Sequence, residues 1–301
     1  MLGFFPRNDK ISVGSRHLGL LLPGEITDIK QKILLAALTL EECVDMTSLI
    51  AIMNEAKPIK CKAEIPGPYA KATTALTLTT NADLTLAVAY DDAFCFYYKD
   101  NLELFEKNGV RIRYFSPLKD EHIPEDADGL LFGGGYPENH LPALSRNTSM
   151  LASVKNAIEN GIPSLAECGG FMYLHKAVTD REGNRFEMVG ACDGECSYAG
   201  RLVRFGYLEI RDIYSLSGDD ALLKSMIGIR GHEFHYYDST VNGDALLAEK
   251  PDHSRAWNCM VCQNNGIWGF PHFYYYSKPE FIRCFIQLML KEKGCKQEPG
   301  M

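Results

Sequence analysis

An alternating order of apolar runs and helical segments, beginning at Leu84, limits the fold of this chain more than any other feature. Four apolar runs have the character of buried strands: 84–90, 110–117, 129–135 and 162–168. Helical segments lie between them at 100–109 and 150–161. Strands that alternate with helices build a parallel sheet, because each connection crosses a sheet face as a helix. The sequence therefore predicts an α/β fold with a doubly wound, largely parallel sheet.

The regions outside this pattern define the predicted domain organisation. An apolar strand closed by Pro-Gly is predicted at 16–25, and helical spacing follows over 26–56. The next segment, to residue 82, lacks helical periodicity and collects Pro, Gly, Thr and Ala, which is typical of a linker. The predicted division is a first domain at 1–56, a linker at 57–82, a main domain at 83–293 and a tail at 294–301.

The later part of the chain, from about residue 186, is richer in strand patterns than in helical ones. Strands are predicted at 186–192, 204–212 and 231–239, and a terminal helix at 279–294. The 301 residues suffice for one large or two small domains with a sizeable core.

Charge and hydropathy exclude two classes of partner. The formal net charge is −8, and no run of lysines and arginines forms the basic surface that nucleic acids require. No apolar stretch approaches the roughly 18–20 residues that a membrane span needs, and the N-terminal residues lack the apolar core of a signal peptide. We expect a cytoplasmic protein that binds neither nucleic acid nor membrane.

The ten cysteines are scattered, and most are expected to be small core residues with free thiols. The segments CDGEC (192–196) and CMVC (259–262) contain four potential zinc ligands. The gap in CDGEC, three residues, is wider than the two-residue gap in CMVC, and no metal site is predicted.

One cysteine, Cys168, lies at a predicted strand-to-helix turn in the segment LAECGGFMYL (165–174), and a helix is predicted to open after it over GGFMYLHKAV (169–178). A sharp turn needs small residues two places on either side, and Ala166 and Gly170 meet this need. The N-terminus of the following helix would favour a thiolate, and the N–H of Gly169 could help to hold an oxyanion. A buried core thiol is the alternative interpretation, although the turn favours a nucleophile.

The glycine-rich segment FGGGYPENH (132–140) ends another predicted strand at the same sheet edge. Open α/β sheets bind ligands at the carboxyl ends of their strands, and glycines let the backbone approach a ligand closely. Alone, this segment is weak evidence, because many loops use glycine only to turn.

A cysteine nucleophile needs a base, usually a histidine. His232 and His235 lie in GHEFHYY, where strand periodicity places His232 and His235 on opposite faces and excludes the helical zinc motif H-E-x-x-H. His272 lies in a loop before the terminal helix and is freer to face a site. The eight candidates are His17, His122, His140, His175, His232, His235, His253 and His272.

Several separated blocks of the sequence resemble one known family, the cobyrinic acid a,c-diamide synthases, in the same order and over nearly the whole chain. The blocks are LGFFPR, RHLGLLLPGE, DDAFCFYYKDNLELFEKNG, LLFGGGYPENH, AECGGFMYL, MVGAC, FGY, GHEFHYY and the closing H…SKPE.

This resemblance implies both a fold and an activity. The C-terminal half of such synthases is similar to class I glutamine amidotransferases, in which a cysteine attacks the glutamine amide, a thioester forms and ammonia is released. The N-terminal half is similar to dethiobiotin synthetase and uses ATP and Mg²⁺ to activate the a- and c-acetate carboxylates of a corrinoid. Glutamine and a corrinoid, cobyrinic acid, are therefore the expected substrates.

Matching the motifs residue by residue assigns the site. Cys168 corresponds to the nucleophile and His272 to the catalytic histidine, while Gly134, Gly135 and Gly169 correspond to the oxyanion and glutamine-binding neighbourhood. The candidates for residues that support this pair are Tyr274 and Glu167.

The chain departs from the family in its N-terminal part. The phosphate-binding loop G-x-x-x-x-G-K-[ST] is absent, and no Gly-Lys dipeptide occurs. Residues 1–56 match only the end of the ATP-binding domain, so we expect a remnant of it, and no cofactor bound by this chain itself. The chain would then be a truncated product, one part of a split synthetase with a separate ATP-binding subunit, or a homologue with an altered function. The sequence is also compatible with a homodimer.

A second departure lies beside the catalytic histidine. GFPHFYYY replaces the family's SYVHLHF, which places Tyr274 where a second histidine usually stands. A neutral tyrosine cannot stabilise an imidazolium as a carboxylate does, so glutaminase activity is expected to be weaker if this position orients His272. Two alternatives follow: a catalytically degenerate protein that binds a corrinoid or a partner, and a synthase acting on nickel sirohydrochlorin.

Overall fold

The computed structural model describes residues 1–16, 19–20, 23–57, 83–213 and 221–297. The chain divides into two compact units, Met1–Ile65 and Pro66–Met301. The division falls within the segment predicted to be a linker, of which residues 58–82 lie outside the described residues.

The first unit contains two short strands and two helices: β1 (Ser15–Arg16), β2 (Gly19–Leu20), α1 (Ile29–Cys43) and α2 (Met46–Glu55). Where one strand was expected at 16–25, the described residues form an antiparallel pair of two-residue strands. The helical spacing belongs to two helices, because Val44 is extended and Asp45 caps α2 by accepting a hydrogen bond from the N–H of Ser48 at 3.0 Å.

The second unit carries the remaining strands and helices. The strands are β3 (Leu84–Ala89), β4 (Phe94–Phe96), β5 (Val110–Phe115), β6 (Gly129–Phe132), β7 (Gly134–Gly135), β8 (Ser164–Glu167), β9 (His175–Thr179), β10 (Arg185–Glu187), β11 (Cys192–Tyr198), β12 (Arg204–Ile213), β13 (Arg230–His235), β14 (Tyr237–Ser239), β15 (Leu246–Glu249), β16 (Ala256–Cys259), β17 (Val261–Gln263), β18 (Gly266–Gly269) and β19 (His272–Tyr274). The helices are α3 (Lys99–Lys107), α4 (Leu141–Arg146), α5 (Thr148–Glu159), α6 (Gly169–Leu174), α7 (Ala221–Ser225) and α8 (Pro279–Gln297).

The central sheet has six strands in the order β17-β18-β8-β6-β3-β5. All neighbouring pairs are parallel except β17 with β18. Both faces of β3 are buried: Ala87 and Ala89 belong to a core that includes residues of α5, and Leu86 and Val88 to a core that includes residues of α3 and α8. Helices thus cover both faces, which confirms the predicted doubly wound, largely parallel sheet.

Two further sheets contain most of the strands that follow β8. One is antiparallel with the order β16-β15-β12-β13-β19, and the other has the order β10-β9-β11-β14. The expectation of a single strand over 186–192 is wrong, since β10 ends at Glu187 and β11 begins at Cys192. Met188 and Val189 are buried in the core instead, and Gly190 turns the chain at a φ of +70°.

The helix predicted after Cys168 is shorter than its sequence pattern indicates. It ends at Leu174, and His175–Thr179 forms β9, which pairs with both β10 and β11. Sheet pairing from both sides therefore overrides the local helical pattern. The terminal helix α8, in contrast, continues beyond the predicted end to Gln297 and so includes part of the predicted tail; residues 298–301 lie outside the described residues.

A search of the described residues for a helix with the length and apolarity needed to cross a membrane finds none.

Candidate active site

The backbone at Cys168 is the most unusual feature of the central sheet. Cys168 connects β8 to α6 with a φ of +49° and a ψ of −104°. A positive φ is unfavourable for a residue with a side chain, and such conformations cluster at functional sites. The predicted sharp turn is therefore present, at the carboxyl end of a parallel strand where α/β folds bind ligands.

Close packing against the glycine-rich segment holds this turn. A methyl group at Gly170 would lie 2.2 Å from the carbonyl oxygen of Phe132, and one at Gly169 would lie 3.2 Å from the backbone nitrogen of Gly135. The N–H of Gly170 donates to the carbonyl of Gly133 at 2.9 Å. Glycines are required here because two backbone segments approach within contact distance.

His272 lies at the same edge. The carbonyl of Gly269, the last residue of β18, accepts a hydrogen bond from the N–H of Cys168 at 2.8 Å. Three residues later, His272 begins β19 and places its ring over Gly134, where an added methyl group would lie 2.3 Å from Cε1. The fold therefore gathers the residues expected from the sequence: Cys168, His272, Gly134, Gly135 and Gly169.

Burial controls the ionisation of Cys168. The residue is 7% exposed, and burial raises the pKa of its thiol, as do the nearby carboxylates of Glu138 and Glu233. The N–H of Gly169 lowers this pKa, but less than burial raises it. The N–H at the N-terminus of α6 thus favours the thiolate as expected, but burial outweighs it, so the net shift of the pKa is opposite to the expected one.

His272 is also buried and stays neutral. Burial, with smaller contributions from His232 and His235, lowers the pKa of His272 to about 3. The ring of His232 stacks on that of His272 with centroids 4.8 Å apart and planes 10° apart. A neutral imidazole can accept a proton, so the buried pair starts as thiol and base rather than as an ion pair.

The contact with His232 was missed by sequence reasoning, which assigned that residue only to a strand face. β13 and β19 are antiparallel neighbours whose register places His232 directly opposite His272. Glu233 and His235 lie on the other face, as predicted, and their side chains hydrogen-bond at 3.1 Å. Only the pairing of the two strands, which lie about forty residues apart in the chain, brings the two histidines together.

The two candidates for supporting residues differ in position. Glu167 is 8% exposed, and its Oε2 lies 3.8 Å from Nδ1 of His272. Tyr274 is 38% exposed and donates its hydroxyl hydrogen to Asp100 at 3.2 Å. The tyrosine that replaces the family's second histidine therefore bonds to a surface carboxylate, and the carboxylate beside His272 is Glu167.

Among the described residues, no group of three or more His, Cys, Asp or Glu side chains is arranged to hold a metal ion. Of the four cysteines in CDGEC and CMVC, three are buried thiols and Cys262 is exposed. The chain has no Gly-Lys dipeptide, and the described residues do not form the phosphate loop that ATP would need.

A cysteine on a strained strand-to-helix turn, packed against a glycine loop that a buried histidine covers, is the arrangement expected of a glutamine amidotransferase on an α/β fold. Comparison with known sequences places the chain more narrowly. It belongs to the family of CobB/CobQ-like glutamine amidotransferase domains, whose family model matches residues 85–268.

Three similar curated proteins are cobyrinate a,c-diamide synthases. The chain is 36% identical over 290 residues to a cobyrinate a,c-diamide synthase of Caldanaerobacter subterraneus, covering 95% of this chain and 60% of the relative. It is 33% identical over 291 residues to the synthase of Clostridium tetani, covering 95% and 62%. The synthase of Fusobacterium nucleatum is 36% identical over 293 residues, with 93% and 62% covered. The chain thus spans about 60% of the length of the relatives that it matches.

Proposed function

We propose that this chain is the glutaminase part of a cobyrinate a,c-diamide synthase. It releases ammonia from the side-chain amide of glutamine, and the ammonia serves to amidate the a- and c-acetate carboxylates of cobyrinic acid. The observation that best supports the glutaminase role is the positive φ of Cys168 at a strand end, packed against the glycine segment that His272 covers. The corrinoid substrate is proposed from the name that the relatives share.

The proposed reaction proceeds through a thioester. The Sγ–H proton of Cys168 passes to Nε2 of His272 while the sulfur attacks the amide carbon of glutamine, and the backbone beside Gly135 and Gly169 stabilises the oxyanion. His272 then gives its proton to the leaving nitrogen, and ammonia departs. Water, activated by the same imidazole, cleaves the thioester to glutamate and restores the thiol.

Cys168 and His272 are both neutral before substrate binds, so His272 must take the thiol proton while the sulfur attacks the amide carbon. Burial raises the pKa of the Cys168 thiol and lowers that of His272 to about 3, so an ion pair is not favoured before substrate binds. Proton transfer is therefore coupled to formation of the carbon–sulfur bond. This arrangement also protects the thiol from oxidation and alkylation between turnovers, since the thiolate is the reactive form.

Amide synthesis requires a second activity. A carboxylate must be activated before ammonia can displace a leaving group, and this chain lacks a recognisable phosphate loop. We propose that a separate ATP-binding subunit supplies the activated carboxylate, with residues 1–56 as the remnant of such a domain. The relatives, of which this chain covers about 60%, contain additional sequence that could carry this activity within one polypeptide.

A glutaminase assay on the purified chain tests the proposal. The chain alone is expected to release ammonia from glutamine, because it contains Cys168, His272 and the glycine segment of the proposed acyl site. It is expected to form no diamide from cobyrinic acid, glutamine, ATP and Mg²⁺, as followed by mass spectrometry, because its sequence lacks the motif that would bind the ATP phosphates.

Adding an ATP-binding subunit with a phosphate loop, such as the product of an adjacent reading frame, should restore diamide formation. Absence of ammonia release under both conditions would instead favour a degenerate binding protein. Diamide formed by the chain alone would show that it contains an ATP site.

A further inference from the structure

A buried carboxylate lies directly beside the proposed reaction centre. Glu167 ends β8, one residue before the nucleophile, and is 8% exposed. Glutamates are rarely buried without a compensating partner. In the described part of the chain no lysine or arginine forms an ion pair with it, and the basic group within 4 Å is Nδ1 of His272.

The segment that carries His272 also holds this carboxylate. Oε1 of Glu167 accepts hydrogen bonds from the hydroxyl of Tyr275 at 2.8 Å and from the N–H of Phe273 at 3.4 Å. Asn101 fixes the same segment, donating to the carbonyl of Phe273 at 2.7 Å and accepting from the N–H of Tyr275 at 2.8 Å. The imidazole and the carboxylate therefore have a common, rigid support.

We propose that Glu167 is the positioning residue for His272: it accepts a hydrogen bond from Nδ1–H, selects the tautomer with a free Nε2 and stabilises the imidazolium formed during proton transfer. Tyr275 in turn positions the Glu167 carboxylate. This inference rests on the proposed glutaminase function.

The geometry suits a role that strengthens during turnover. The distance of 3.8 Å between Oε2 and Nδ1 is longer than a hydrogen bond, so the contact is loose in this structure. Catalytic contacts often shorten only when substrate is bound or charge develops. When His272 takes the thiol proton, its positive charge attracts the carboxylate in a site shielded from water.

The position of Glu167 also bears on Tyr274, which stands where the family usually has a second histidine. A tyrosine in place of the family's second histidine predicted weaker support for the base. Tyr274 bonds to Asp100 on the surface, whereas Glu167 reaches the histidine from the neighbouring strand. The substitution therefore leaves the contact between His272 and its carboxylate in place.

A pH dependence follows from the burial of this carboxylate. Burial raises the pKa of Glu167 to about 7, although hydrogen bonds from Tyr275 and Phe273 oppose this increase. The carboxylate form is populated above this pKa, so kcat/KM should fall as the pH decreases through about 7. The ionisable groups that surround Glu167 and His272 are Tyr97, Tyr98, Tyr275, Cys168, His232 and His235.

Glu167→Gln is expected to lower kcat on the order of 10²-fold or more with little change in KM, because orientation of the base is lost while the glutamine site is retained. The decline of kcat/KM near pH 7 should disappear from its pH profile. Tyr275→Phe removes a donor that favours the carboxylate, so the decline should move to higher pH. Tyr274→Phe is the matched control, and its profile should equal that of the wild type.

Nitrogen-15 NMR of the imidazole gives a measurement that does not depend on turnover. The signals of His272 are assigned by their loss in His272→Gln. Above pH 7 the wild type should carry its ring proton on Nδ1, and Glu167→Gln should change this tautomer or broaden its signal.

The outcomes separate the two proposals. An inactive wild type with the expected NMR change would reject the glutaminase function and keep the orienting contact. An active wild type with unchanged kcat, pH profile and tautomer in Glu167→Gln would overturn the role of Glu167. If Glu167→Gln is inactive because it is unfolded, as shown by thermal melting, Tyr275→Phe gives the test instead. An unshifted pH profile of kcat/KM in Tyr275→Phe would then overturn the role of Glu167.

Discussion

Cys168→Ser is expected to reduce glutamine hydrolysis by roughly 10³-fold or more while the protein keeps its fold. A serine hydroxyl fits the turn, but it is a much weaker nucleophile when a neutral histidine must take its proton. Ammonia release measures the effect, and thermal melting checks the fold. Cys262→Ser, which changes an exposed cysteine outside the site, is the control and should retain full activity.

Labelling gives an independent check of the same assignment. A glutamine analogue with a diazo ketone should modify Cys168 selectively, because binding of the analogue places its electrophile against the sulfur. A simple alkylating agent should react faster with the exposed Cys262, since burial raises the pKa of the Cys168 thiol. Modification of other cysteines by the analogue, with Cys168 untouched, would show that the nucleophile is wrongly assigned.

His272→Ala is expected to lower glutaminase activity nearly as much as Cys168→Ser, and the double variant should lose little more. Residues that act as one unit have non-additive effects, because removing either one stops the same proton transfer. Steady-state kinetics of the two single variants and the double variant measure this. His253→Ala, which changes an exposed histidine paired with Glu249, is the matched control.

A substitution of His232 tests whether this residue, rather than His272, acts as the base. Its ring stacks on His272, so His232→Ala should cost some activity by loosening the base, although less than His272→Ala. Equal, large losses in both variants, with normal thermal melts, would contradict the assignment of the base to His272 alone.

The fold of the central sheet was predictable because its signals are local. Apolar runs of strand length alternate with helical spacing, and both faces of such strands must be covered. The turn at Cys168 was predictable for a similar reason, since Ala166 and Gly170 leave room for a sharp bend. The roles of Cys168, His272 and the three glycines stay predictions until activity is measured.

Features that depend on pairing between distant strands were not predictable in the same way. The helix after Cys168 was predicted too long because His175–Thr179 pairs with β10 and β11 as a strand of a sheet. The sign of the pKa shift at Cys168 was wrong because it depends on the depth of burial, which no local pattern reports. The stack between the rings of His232 and His272 was not predicted either, because it also depends on the pairing of distant strands.

The sequence by itself determined the order of strands and helices, the position of the turn at Cys168 and the glycines that let two backbone segments meet. These depend on residues within a few positions of one another. Only the tertiary structure decided which groups surround the base, because β8, β13 and β19 must align before Glu167, His232 and His272 come into contact. Burial in that arrangement then sets their charges, since removing water penalises every ionised form that lacks a partner.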